Sequence, residues 1–114
     1  MLPRQYRLRK DRDFQKIWKR GQSYRTKFFR FKILKNNLII SRFGIVVGTK
    51  VSKKTTIRNQ TKRRAGEIIR LKLSSIKPCY DLILTALPMA VHKKYPEIEK
   101  DILSALEYFK ILKA

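Results

Sequence analysis

Acidic residues, histidine and cysteine are scarce in this sequence, and each shortage removes a class of chemistry. Only eight Asp and Glu stand against 29 Lys and Arg in 114 residues. General acid–base hydrolysis needs paired carboxylates or a histidine system, and metal chemistry needs clustered acidic or histidine ligands. The single histidine, His92, follows Pro88-Met89-Ala90-Val91 with no partner at ligand spacing, and reads as a surface-loop residue. Asp11 and Asp13 sit at the start of a charged helix, where carboxylates complement the dipole. An autonomous nuclease is therefore disfavoured, and no catalytic residue is assigned. The one cysteine, Cys79, cannot form an internal disulfide and fits a reducing, cytoplasmic setting. Following Pro78 at a strand entrance, it reads as a small packed residue. No apolar run approaches the length that spans a bilayer, and the cations of Met1 to Arg7 precede no apolar segment of signal-peptide type. Neither a membrane nor a secretory route is expected. Repeats, low-complexity tracts and linker-like boundaries are absent too, so residues 1–114 are expected to form one domain.

What remains is a normal complement of apolar residues carrying an abnormal charge. The hydrophobic share is 43%, enough for a core, while the formal charge is +21 and the pI near 10.7. Self-repulsion on that scale favours a dense polyanion as partner, and nucleic acid is the first candidate. The cations interleave with apolar residues almost throughout. Phe14, Ile17 and Trp18 keep helical spacing within Asp11 to Arg20, and Gly21 is a plausible stop. Phe29, Phe31 and Ile33 alternate with Arg30 and Lys32 as in a strand. After the turn signal Asn36-Asn37, Ile39 to Val47 reads as a second strand, expected to pair antiparallel with the first. Thr55 or Thr56 can cap a long helix to about Leu73, with Ala65, Ile68, Ile69 and Leu73 as its apolar stripe. Pro78 bars its continuation. Tyr80 to Ala86 is a strand apolar enough for burial on both faces. Pro96-Glu97 opens a last helix through Ile98, Ile102, Leu106 and Phe109. The expected fold is α+β, a small sheet covered by helices and containing a β-α-β crossover.

The densest signal runs from Lys50, Lys53 and Lys54 into Arg58-Asn59-Gln60-Thr61-Lys62-Arg63-Arg64. At about 100° per residue, Arg58, Asn59, Lys62 and Arg63 share an arc of roughly 140° on the first two helical turns. Unpaired backbone N–H groups and the positive dipole end also favour anions there. Guanidinium forks grip phosphates, lysine adds a point charge, and asparagine can hold a sugar, a base edge or a metal-bound water. A charge run of this kind is often only a solvated helix face; its place at a helix start in so basic a chain favours RNA contact. Phe14, Trp18 and Phe31 lie beside cations, as aromatic platforms for unpaired bases do, but each of the three also fits a core position.

The order and spacing of these segments resemble the bacterial ribonuclease P protein family. Lys10-Asp11-Arg12-Asp13-Phe14-Gln15-Lys16-Ile17-Trp18-Lys19-Arg20-Gly21 is similar to that family's first helix and turn, and Arg42-Phe43-Gly44-Ile45-Val46-Val47-Gly48 to its second strand. The passage from Lys50-Val51 to Arg63-Arg64 resembles its most specific motif, and Asp81 to Ala86 and Tyr95 to Phe109 fit its last strand and helix. The resemblance implies the order α-β-β-(β)-α-β-α, a mixed sheet with a left-handed β-α-β crossover, similar to the second domain of a small-subunit ribosomal protein. It implies a catalytic RNA subunit as partner, bound through Arg58, Asn59, Gln60, Lys62 and Arg63, with Lys50, Lys53 and Lys54 as further basic contacts. It also implies a cleft between the sheet and the first helix, lined by Phe14, Trp18 and Phe31, for the single-stranded 5′ leader of precursor tRNA. Bond breaking would then belong to the RNA with its bound Mg²⁺, with neither metal nor protein partner implied for the chain itself. Two departures stand out: Gln60 replaces the motif's second arginine, and Leu87-Pro88 replaces the basic residue usual after the last strand. A ribosomal-type RNA-binding protein or RNA chaperone fits the composition equally well; only the ordered motifs separate the two.

Overall fold

The computed structural model describes residues 2–113. Its main elements are α1 (Asp11–Arg20), β1 (Gln22–Arg25), β2 (Phe29–Lys35), β3 (Arg42–Val46), α2 (Thr55–Lys72), β4 (Tyr80–Ala86) and α3 (Tyr95–Tyr108), an α+β architecture. The four strands form one mixed sheet in the order β1-β2-β4-β3. β2 runs antiparallel to both β1 and β4, and β3 runs parallel to β4, so β3, α2 and β4 make the β-α-β unit. Among the described residues no helix is long and apolar enough to cross a membrane.

The expected pairing of β2 with β3 does not occur, because β4 lies between them. The reason is burial: Leu82, Ile83 and Leu84 are wholly enclosed, and a strand apolar on both faces is most stable with neighbours on both edges. The connection after β2 steps over β4 instead of turning back. Asn36 organises that step. Its N–H donates to the Cys79 carbonyl at 2.8 Å, and its side-chain amide donates to Ile40 O at 3.3 Å and Asp81 Oδ1 at 2.8 Å. The third strand is also shorter than Ile39 to Val47, since Ile39 stands 90% exposed in this connection. β1 has no apolar alternation by which to read it from the residues, although the order implied by the resemblance allows one more strand; pairing Gln22 with Ile33 and Arg25 with Arg30 extends the sheet at its far edge.

The alternation along β2 and β4 divides the core. Phe29, Phe31 and Ile33 share one face with Leu82, Leu84 and Ala86, where Ile68 and Ile69 of α2 and Ile98, Ile102 and Leu106 of α3 cover them. The opposite face carries Ile83 and Leu34, which pack beneath Leu8, Phe14 and Ile17 at α1. Phe31 is 0% exposed and lies on the α2–α3 side, so it is separated from α1 by the thickness of the sheet. That corrects its placement in a cleft facing α1. Arg30 and Lys32, its neighbours in sequence, are the β2 residues on the α1 side.

α1 is tied to the sheet by a polar network. Arg42 donates from Nε to Asp81 Oδ1 at 3.0 Å and from Nη2 to Asp81 Oδ2 at 2.8 Å, a bidentate pair, and from Nη1 to Asp13 Oδ2 at 3.4 Å. Hydrogen bonding to Asp81 raises the Arg42 pKa above its ordinary value, although burial opposes this. The folded-state pKa of Arg42 thus lies above the unfolded one. Its contribution to stability is complete below the usual arginine range and is lost only on passing above it. Close backbone approach does the rest. A Cβ at Gly44 would stand 2.7 Å from the Phe14 ring, and one at Gly21 would stand 2.5 Å from Ile17 O.

Two substitutions test this division of the core. Phe31→Ala is expected to lower unfolding free energy by about 3–5 kcal/mol, as removal of an enclosed aromatic does; a loss well under 1 kcal/mol in denaturant titration contradicts its core placement. Asp81→Asn, which leaves the Arg42 guanidinium without its bidentate partner, is expected to cost about 2–3 kcal/mol. Wild-type stability in that variant would remove the network from the account of α1 docking.

Candidate nucleic-acid interface

The approach to α2 is a chain of exposed cations held by one internal arginine. Gly48 to Ser52 turns with the Val51 N–H donating to Gly48 O at 3.1 Å, leaving Lys50, Lys53 and Lys54 exposed. The threonine cap expected at Thr55 or Thr56 is not formed; Lys54 is the N-cap, in extended conformation and without a side-chain cap bond. Arg58 supplies the closure. Its Nη1 donates to the carbonyls of Ser52 at 2.9 Å and Lys53 at 3.0 Å, and its Nη2 donates to Thr55 Oγ1 at 3.2 Å. Arg58 therefore shapes the turn that displays the lysines, with Nε still uncommitted among its five donors.

Asn59, Gln60, Lys62 and Arg63 are exposed, and among the described residues Lys62 and Arg63 have no hydrogen-bond or ion-pair partner. The apolar stripe of the same helix, Ala65, Ile68 and Ile69, fixes which way this arc points by anchoring the other side in the core. Arg64 lies off the arc and donates to Lys93 O at 2.9 Å, tying α2 to the segment before α3. The arc faces a groove of about 780 Å³ whose far wall is the N-terminal segment Arg7 to Arg9 and whose floor is the edge of β3. Phe14 reaches the same groove, half-buried against Gly44, so this groove joins the α2 cations to α1.

Beyond α1 the sheet face is open. Trp18 is 38% exposed on α1, one turn from Phe14. Strand register places Arg25, Arg30, Thr85 and Val46 in one row across the four strands on this side, with Lys32 in the next. Lys32 Nζ lies 3.5 Å from Gly21 O at the end of α1. The Thr85 hydroxyl in this row is enclosed without a hydrogen-bond partner. Phe14 packs at Gly44, Trp18 stands exposed one turn on, and the sheet residues on the α1 side are Arg30, Lys32, Thr85 and Val46 in place of Phe31. The strand alternation already contained that signal, since the residues out of phase with Phe29, Phe31 and Ile33 must occupy the other face. Arg7, Arg9 and Gly66 in the groove have no comparable signature, because only the folded chain brings them to the β3 edge.

Among the described residues no three His, Cys, Asp or Glu side chains gather at metal-ligand spacing. His92 is exposed with φ 63°, and Cys79 is half-buried with φ 76°, both in left-handed backbone conformations. The acids instead hold the structure. Asp101 accepts from the Thr26 hydroxyl and, at 3.3 Å, from the Phe28 N–H, while Glu97 accepts from the Lys94 N–H at 3.0 Å. Arg70 pairs with Glu67 at 2.5 Å, which lowers the Glu67 pKa below the usual carboxylate range.

Known proteins agree with this geometry in sequence and in fold. The ribonuclease P family profile matches residues 2–110. The chain is 38% identical over 113 residues to a ribonuclease P protein component of Pseudanabaena sp., covering 98% of this chain and 97% of that one. It is 40% identical over 96 residues to the corresponding component of Clostridioides difficile, covering 83% of each. Its fold is similar to the RNase P protein of Staphylococcus aureus, with TM-score 0.86 and 28% identity over 95% of this chain and 98% of that one. The RNase P protein of Thermotoga maritima gives TM-score 0.82 and 31% identity, covering 90% and 96%. On this evidence the chain belongs to the ribonuclease P protein family.

Proposed function

We propose that this chain is the RNA-binding subunit of a cytoplasmic ribonuclease P, in which it grips the catalytic RNA through the α2 arc and holds the 5′ leader of precursor tRNA. The leader would lie in the trough between α1 and the open sheet face, with Phe14 and Trp18 as apolar wall and Arg30 and Lys32 as phosphate partners. One observation carries the reading: the unpartnered cations Lys62 and Arg63 and the aromatic Phe14 border one continuous groove. Phosphates and unpaired bases need that combination of free cations and apolar surface. Lys50, Lys53 and Lys54 extend the track at the start of α2, and Gln60 supplies a hydrogen-bonding amide in place of a further charge. Among the described residues no three metal-ligating side chains gather, and in this reading Mg²⁺ is bound mainly by the RNA subunit, leader removal is chemistry of that RNA, and the protein is the positioning partner.

Reconstitution with a bacterial ribonuclease P RNA tests the proposal: the protein is expected to stimulate leader cleavage at low Mg²⁺ and to cleave nothing alone. Copurification with ribosomes and no stimulation would contradict it. Lys62→Ala with Arg63→Ala is expected to weaken binding to the RNA subunit. The slope of log K against log salt should shrink by up to roughly 0.9 per lost contact on duplex-like RNA. An unchanged slope returns the arc to solvent. Trp18→Ala is expected to weaken precursor tRNA binding by about 1–3 kcal/mol while leaving mature tRNA unaffected, since only the precursor carries a leader to stack. Equal losses for both ligands, at wild-type thermal stability, would remove Trp18 from the leader trough.

A further inference from the structure

Gly66 lies in the middle of the cationic arc of α2. At about 100° per residue it falls between Lys62 and Asn59, with Arg63 beyond. Apart from proline, glycine is the least favourable residue in a helix interior, and close packing is its usual justification. Among the described residues a Cβ built on Gly66 meets Ile45 Cδ1 alone within 4 Å, at 3.5 Å, an ordinary contact, whereas Gly21 and Gly44 face atoms under 3.0 Å away. Gly66 is itself buried, yet it forms part of the wall of the groove of about 780 Å³, so a longer side chain there would extend into that space.

The groove has the parts of a base-binding slot. Leu8, Phe14, Gly44 and Ile45 give it an apolar floor, and Arg7, Arg9, Lys62 and Arg63 give it a cationic rim. Its floor also includes a free sheet edge. β3 is an edge strand, and the Leu8 N–H donates across that edge to the Phe43 carbonyl at 2.9 Å. Main-chain groups alternate sides along a strand, so Ile45, two residues on, turns its N–H and C=O to the same edge. Among the described residues the N-terminal segment pairs there at the Arg7–Phe43 bridge alone, which leaves the donor and acceptor of Ile45 without a strand partner among them. An adjacent amide donor and acceptor match the hydrogen-bonding edge of a nucleobase.

We propose that this groove takes one unpaired nucleobase of a bound RNA. The base lies in the groove beside the buried Gly66, its edge is read by the Ile45 N–H and C=O, and the flanking phosphates are held by Lys62, Arg63 and the N-terminal arginines. The inference rests on the RNA-facing reading of α2. A peptide strand could use the same edge, but the surplus of cations over the single carboxylate Glu67 at the rim selects a polyanion.

Gly66→Leu fills the slot without removing any cation, and Gly66→Ala adds one methyl that touches only Ile45. The probes are fluorescent single-stranded hexanucleotides, the same strands carrying abasic positions, and a short RNA hairpin, each titrated with the full chain. Gly66→Leu is expected to lose about tenfold or more in affinity for the base-bearing strand, the scale of one lost stacked base. Its hairpin binding should stay at the wild-type level. Gly66→Ala, which adds one methyl to the slot wall, should lose less single-strand affinity than Gly66→Leu and melt no lower. In the wild-type chain the Ile45 amide resonance should shift with the base-bearing strand and not with the abasic one, a readout that stands even if Gly66→Leu fails to fold. A folded Gly66→Leu chain with unchanged single-strand affinity overturns the slot. So does abasic RNA that binds as tightly as base-bearing RNA, or a polyglutamate peptide that competes equally well. Failure of the underlying α2 reading is recognised separately, by Lys62→Ala with Arg63→Ala leaving hairpin affinity and its salt dependence unchanged.

Discussion

Burial of β4 on both faces is the constraint from which the rest of the arrangement follows. Leu82 and Leu84 must be covered on one side and Ile83 on the other, so the helices cannot all pack on the same face. The long helices α2 and α3 cover the larger core. α1, ten residues and about 15 Å long, covers only the part of the other face around Ile83 and Leu34. The row from Arg25 to Val46 is left open beside it. Because β4 takes both β2 and β3 as neighbours, β3 becomes an edge, and the α2 that follows it runs alongside that edge. The trough and the groove are thus two consequences of one buried strand.

Charge allocation follows the same logic. Six of the eight acidic side chains, Asp13, Asp81, Asp101, Glu67, Glu97 and Glu99, bond or pair within the fold. Arg42 and Arg64 are used internally, and Arg58 shapes the turn before α2. Among the described residues Lys62 and Arg63 are left without partners on a surface with few carboxylates nearby, where their field is little neutralised. A charge of +21 favours association with a polyanion before any contact is specific, and the placement of the apolar floor between cations is what distinguishes a nucleic-acid track from a merely basic surface.

Much of this was legible in the sequence. Periodicity located α1, β2, α2 and α3, since each carries an apolar repeat of a single period, and the near-continuous apolar run Tyr80 to Ala86 announced β4 and its double burial. Strand order was not legible, because alternation says which residues share a face and nothing about which strand lies beside which; hence the expected β2–β3 pairing, which β4 interrupts. Phe31 shows the same limit from the other direction. Its phase with Phe29 and Ile33 marked it as core, while the family resemblance carried it to the cleft, and the register assigns that wall to Arg30 and Lys32. The arc of Arg58, Asn59, Lys62 and Arg63 followed from helical geometry alone, but the inward turn of Arg58 depends on carbonyls five and six residues earlier whose directions no residue pattern encodes. Gly66 was invisible as a feature until the β3 edge stood opposite it.

The central claim is that RNA follows one continuous track, from the lysines before α2, over the β3 edge, to the open sheet face beside α1. Amide hydrogen exchange of the reconstituted ribonucleoprotein, with and without precursor tRNA, measures it most directly. The account predicts added protection over Lys50 to Arg63 on binding the RNA subunit, further protection in α1 and β2 when the leader-bearing substrate is added, and no change in the exposed face of α3. Protection concentrated on α3, with the track unaltered, would contradict it.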